Sequence, residues 1–228
     1  MLRLGTKYQI DHLRESAILR LQEVFPTTLE TFRNSYTDCS ITASSPNGTL
    51  CLNASIEITA RDSIAVINLA RSFNLPHLLP AAFYICAQLR PATLVNGVTG
   101  ADGTLWKLSQ GDLQRCLEGQ ENLRVAAFYQ CRPILNSTPS AACLSRSSCL
   151  HLLQSCKANL LKTKYITRTN GLDGPQWIEM LSLCQNCHDE FLASHNAQRN
   201  TVWKALPSSR FFNLHIKWPP VNPVAAAT

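Results

Sequence analysis

An all-α fold is what the sequence predicts, and three observations predict it. Apolar residues recur at three- and four-residue spacing in one segment after another. Pairs of the form Thr/Ser-x-x-Glu/Asp stand where several of these segments begin. The one stretch that alternates like a strand, Leu50–Ile58, is short and solitary, and one such run cannot build a sheet. The length of 228 residues suits one sizeable domain or two small ones. Charged residues make up 16% and apolar residues 45%, a globular balance. The net charge of +6 is scattered rather than run together, so it does not mark out an acidic or nucleic-acid partner.

Taken in order, Leu2, Leu4 and Tyr8 lead into a helix carrying Ile10, Leu13, Ala17, Ile18 and Leu21, which Phe25-Pro26 stops. A helix that begins at residue 2 with apolar faces implies a lost packing partner, and the chain is expected to be a fragment. Thr27-x-x-Glu30 predicts a capping box for a short helix to Tyr36, and 37–53 reads as a polar loop. Thr59-x-x-Asp62 opens a helix through Phe73 that Asn74 caps. Pro76 then starts a second helix through Leu89, giving an antiparallel pair. Pro91–Leu105 reads as a loop, Ser109-x-x-Asp112 as the start of a helix to Phe128, and Arg132–Ala142 as a Pro/Ser loop. Ser147–Leu161 reads as a helix. Trp177 starts a last long helical region ending at Pro207, beyond which the tail has little to order it.

The ten cysteines suggest disulfides only in a secreted chain. The N-terminus has charges throughout and no apolar signal core, and Leu75–Leu89 is too short and too proline-rich to span a bilayer. The expectation is an intracellular protein of cytoplasm or nucleus, with reduced thiols and no membrane. The sequons at Asn47, Asn53 and Asn136 then go unmodified.

Cys143-x5-Cys149 and Cys184-x2-Cys187 supply four thiolates in two local pairs, a set that fits one structural zinc ion. Cys131, Cys156 or His188 could replace a member. Reduced core cysteines and a redox pair are the competing readings. A closed four-thiolate site leaves no position for a reacting water, so even zinc would not make the chain an enzyme. His188 and His195 stand seven apart and do not make a His-Glu-x-x-His motif; no Gly-x-Ser-x-Gly elbow or phosphate-binding loop is present. Lys157, Lys162, Lys164 and Arg168 form a basic stretch that reads as a solvated helix end rather than a nucleic-acid surface.

LRLGTKYQIDHLRESAILRLQEVFP resembles the last helices of BTB/POZ domains in a large fungal family. INLARSFNLPHLLPAAFYICAQL, LSQGDLQRCLEGQENL, and the two cysteine pairs followed by RNTVWKALPSSRFFNL resemble that family's helical C-terminal half, comparable to a BACK region. The resemblance implies a bundle of antiparallel helical pairs with irregular loops. Its divisions are the end of a BTB domain at 1–25, a short helix and loop at 26–58, a BACK-like domain at 59–206 and a mostly unstructured tail at 207–228. It also implies homo-oligomerisation, adaptor work in transcriptional regulation, or docking to a cullin-type ubiquitin ligase. The BTB core that carries these roles would lie upstream of Met1. The expected function is therefore a non-catalytic protein-interaction module that docks through apolar faces on Leu2–Leu21 and on the hairpin Asp62–Leu89. The alternative is a zinc-stabilised nucleic-acid-binding or regulatory factor.

Overall fold

The computed structural model describes residues 1–36, 58–162, 169–172, 174 and 176–219. The expected 37–53 loop, most of Leu50–Ile58, and Lys164 and Arg168 of the basic stretch lie outside the described residues. The fold is all-α, with one two-stranded antiparallel hairpin. The chain divides into two compact units, Met1–Leu117 with Leu206–Thr228, and Glu118–Ala205.

The first unit contains α1 (Leu2–Lys7), α2 (Asp11–Val24), α3 (Leu29–Ser35), α4 (Asp62–Ser72), α5 (Leu79–Cys86) and α6 (Pro91–Asn96). Strands β1 (Val98–Thr99) and β2 (Leu105–Trp106) follow, then the beginning of α7 (Gln110–Gln130). Its centre is α5, whose sequence LPAAFYIC has no charged residue and whose eight residues are all buried. A helix apolar on every side must be enclosed. Helix α4 packs on it with Ile64, Val66, Ile67 and Ala70. The hairpin Asp62–Leu89 is thus the core of this unit, not the docking face expected of it. Tyr84 of α5 meets Phe32 edge-on at 5.6 Å, and Phe32 stacks on Tyr36 at 4.4 Å. The Tyr36 hydroxyl donates to the Val24 carbonyl at 2.5 Å, and burial pushes its pKa up, so it stays a neutral donor.

Backbone stop signals set the turns. Asn74 takes the left-handed conformation (φ 52°), and the Leu75 N–H returns to the Ala70 carbonyl at 2.9 Å. That is the six-to-one bond of a Schellman motif. Helix α1 ends the same way: Gln9 has φ 54°, and the Ile10 N–H reaches the Gly5 carbonyl at 2.8 Å. Gly5 also lets α2 approach, because a Cβ there would lie 2.8 Å from the Arg14 backbone nitrogen.

The helix starts differ in detail from the sequence reading. The cap of α3 is Thr28, whose hydroxyl accepts the Thr31 N–H at 3.2 Å, rather than the Thr27/Glu30 box. At α4 only the return arm forms: the Asp62 carboxylate accepts both the N–H and the hydroxyl of Thr59, each at 2.8 Å. At α7 Ser109 accepts the Asp112 N–H at 3.2 Å. The Asp112 carboxylate instead pairs with Arg71 at 2.8 Å and Arg115 at 3.4 Å.

Two expected loops contain structure. Pro91–Leu105 forms α6 and the hairpin, turned through Gly97 at φ 80°, where a Cβ would clash with the Trp106 carbonyl oxygen at 2.3 Å. The start of the expected tail is also ordered. Phe211, Phe212 and Leu214 are buried, Phe212 lies 5.4 Å from Phe83, and Arg115 donates to the Asn213 carbonyl.

The second unit holds the rest of α7, then α8 (Arg132–Asn136), α9 (Arg146–Lys162), α10 (Gln176–Glu179) and α11 (Gln185–Ala205). Helix α8 occupies part of the expected Arg132–Ala142 loop. Its proline sits in the first turn, where a missing N–H costs nothing, and Ser137 closes it at φ 48°. The last helical region is broken at residues 180–184 instead of running on from Trp177. The turn at Gly171–Leu172 is held by its carbonyls: Gln130 donates to Gly171, and Arg199 donates to Leu172 at 3.0 Å.

Asn74→Ala should destabilise the full chain by about 1 kcal/mol, because a Cβ without asparagine's local hydrogen bonding is strained in the left-handed region, while Asn74→Gly should be neutral or slightly stabilising. Equilibrium urea unfolding of the two variants checks this.

Candidate metal centre

Two helix beginnings carry the candidate site. Cys149 lies in the first turn of α9, and Cys143 in the loop before it. Cys184 immediately precedes α11, and Cys187 lies in the first turn of α11. All four sulfurs, from Cys143, Cys149, Cys184 and Cys187, lie within 4.8 Å of one another. The Cys143 and Cys184 sulfurs are 3.6 Å apart. A disulfide would put them at about 2.0 Å. Four sulfurs at about 2.3 Å around a tetrahedral zinc would lie about 3.8 Å from one another. The 3.6 Å separation is close to the second arrangement and far from a disulfide, and the set could hold a metal ion.

Backbone N–H groups point at the sulfurs. The N–H groups of Cys187 and Leu144 favour the thiolate of Cys184. The Cys184 N–H donates to Cys149 Sγ at 3.4 Å, and the Ser140 N–H to Cys187 Sγ at 3.3 Å. Cys184 precedes the helix, in the place of a capping residue. Donors of this kind disperse thiolate charge, which is the role of the outer shell around a thiolate-bound metal.

The electrostatics separate the thiols. The Cys187 and Leu144 N–H groups bring Cys184 down to about 6, so it is a thiolate at neutral pH. Burial pushes Cys187 up to about 12, against the pull of the Ser140 N–H. For Cys149 the Cys184 N–H lowers the pKa, but burial and the neighbouring Cys184 and Cys143 thiols outweigh it and the net shift is upward. A divalent cation reverses this mutual repulsion, since coordination holds thiolates deprotonated. The donor set fits zinc, which favours four sulfur or nitrogen ligands.

The setting is apolar. Cys149 and Cys187 are buried in a cluster with Ile134, Leu153, Leu160, Ile178 and Phe191. The Cys143 loop is fastened to α11 on both sides of the sulfurs. Asn186 donates to the Ala142 carbonyl at 2.6 Å, and the Ser140 hydroxyl donates to Glu190. Spacing gives no hint of Ser140 or Leu144, whose roles arise from chain folding. Asn186 alone carried a signal, by lying inside the Cys-x2-Cys turn.

The other candidates fall elsewhere. Cys131 and Cys156 pack against the same apolar cluster but are not among the four clustered ligands. The His188 ring faces Asp189 at 3.2 Å, and only its backbone N–H meets the site, at the Cys184 carbonyl. His195, seven residues on, is buried. Cys86 and Cys116 are buried in the first unit, where the Cys116 thiol's hydrogen bond to Cys86, together with burial, raises Cys116 well above an ordinary thiol. No helix among the described residues is long and apolar enough to cross a membrane.

In the metal-free, reduced protein, iodoacetamide should label Cys184 at a rate that climbs as pH rises through about 6 and levels off near neutrality. Cys187 should stay slow until pH approaches about 12. Peptide mass mapping across a pH series reads both. Comparison with known proteins returns no match from family models, from curated proteins or from solved structures.

Proposed function

We infer that residues 118–205 form a zinc-stapled, non-catalytic interaction module. The observation that carries this reading is the convergence of four cysteine sulfurs within 4.8 Å, with backbone N–H donors aimed at them. Four protein ligands complete a tetrahedral zinc shell and leave no coordination position for a substrate or a water, so the metal's part is architectural. Zinc would join the loop before α9 to the start of α11, and through them α9 to α11. The resemblance of the sequence to a BACK-like region, which would be all-helical, gives this module a role in holding protein partners. The exposed apolar side chains Leu4, Tyr8 and Leu19 on α1 and α2 agree with part of the docking surface that the sequence suggests.

Purified protein should carry one zinc per chain by elemental analysis, and the Cys184→Ser/Cys187→Ser variant should carry none. Chelation should deprotect the amides of α9 and α11 in hydrogen exchange, because structural zinc contributes on the order of 10 kcal/mol of apparent folding free energy at neutral pH. Protein that is metal-free and equally protected with and without chelator would refute the reading.

A further inference from the structure

Beside the sulfur cluster, within the second unit, lies a cavity of about 690 Å³. That is the size of a ligand or peptide side-chain site rather than a packing gap. Two guanidinium groups line it, Arg132 at the start of α8 and Arg146 at the start of α9. Neither has an ion-pair partner among the described residues. Glu190 also lines the cavity, but the Ser140 hydroxyl already donates to its carboxylate. The balance of formal charge in the cavity is therefore positive.

The remaining polar groups are carboxamides. Asn136 and Gln198 both line the cavity. A carboxamide offers one acceptor and two donors, matching the N–H and C=O of a peptide bond in either direction. Phe191 adds an apolar surface. The geometry points to this cavity as a docking groove for an acidic peptide segment of a protein partner, with Arg132 and Arg146 pairing to its carboxylates and Asn136 and Gln198 to its backbone. Arginine suits such a contact because its planar fork binds a carboxylate through two parallel hydrogen bonds.

The groove is built on the metal loop. Pro139 and Ala141 line it, and Ser140 between them donates its N–H to Cys187 Sγ. Zinc at the four sulfurs would thus fix one wall. This inference deepens the interaction-module reading and rests on it.

The test is an NMR titration of the isotope-labelled full chain with N-acetylated, C-amidated hexaglutamate, set against hexaglutamine and inorganic phosphate. Zinc content is measured on the same sample. Hexaglutamate should give saturable shifts confined to residues 132–146 and 190–198. Hexaglutamine should bind weaker by about tenfold or more, as should the Arg132→Gln/Arg146→Gln variant towards hexaglutamate. Both arginines are exposed, so that variant keeps the fold, and its unperturbed amide spectrum verifies this. The Arg132→Lys/Arg146→Lys variant, which keeps charge but not the fork, should fall between.

Absent or non-saturating shifts, shifts spread over the whole basic surface, or binding indifferent to the arginine variants would overturn the groove. Phosphate binding as tight as hexaglutamate would overturn the peptide assignment in favour of a small-anion site. Zinc-loaded protein that ignores hexaglutamate defeats this inference alone, whereas metal-free protein defeats the metal reading whatever the titration gives.

Discussion

The second unit depends on the mutual constraint of four sulfurs in an apolar interior. A thiol is a tolerable small hydrophobe in a core, but four of them within bonding range of one ion are a different object. Packing alone would be served as well by alanine or valine, and it gives no reason for backbone N–H groups to face sulfur. Here two such groups favour the Cys184 thiolate, and Cys149 and Cys187 receive one donor each. The beginnings of α9 and α11 both meet at the cluster, so the positive ends of two helix dipoles fall on the same negative charge. Electrostatics, capping and burial therefore agree on one composite site.

The first unit is organised by a different constraint. Its centre is a helix with no polar side to show to water, and the surrounding segments are shaped by the need to cover it. The turns that fold them are set by residues able to adopt the left-handed conformation, Gln9 and Asn74, with the six-to-one bond closing the helix before each. The buried Asp112 carboxylate holds Arg71 of α4 and Arg115 of α7. An acid buried to that degree is tolerable because both of its neighbours are cations.

How legible these features were in sequence follows the distance over which each is determined. Asn74 and Pro76 act within a turn of themselves, and the end of α4 and the start of the next helix fall where they predict. Gln9 does the same job as Asn74, yet glutamine is not a residue that advertises a left-handed turn. The Cys-x2-Cys spacing showed half of the site, since one helical turn brings both sulfurs to the same side. Its pairing with Cys143 and Cys149 could only be guessed, because chain reversal brings them together. Ser140 was invisible for the same reason, its sulfur partner lying 47 residues away. The break at residues 180–184 has no proline or glycine to announce it. It places Cys184 immediately before α11. Phe211 and Phe212 read as tail because they lie beyond Pro207, whereas both are buried and Phe212 meets Phe83 of α5.

The loop from Ser137 to Leu144 is where these threads meet. It leaves α8 through a left-handed serine and then makes three bonds to α11 through Ser140 and Ala142. Ser140 alone donates from its backbone to Cys187 and from its side chain to Glu190, and accepts the Ala142 N–H at 3.2 Å. A short loop with so many specified bonds has little freedom left, so whatever fixes the sulfurs also fixes the surface on the loop's other side. Any ion held by the four sulfurs would be coupled to the neighbouring cavity without a long-range pathway. One buried serine bonds both the Cys187 sulfur and Glu190, which lines the neighbouring cavity.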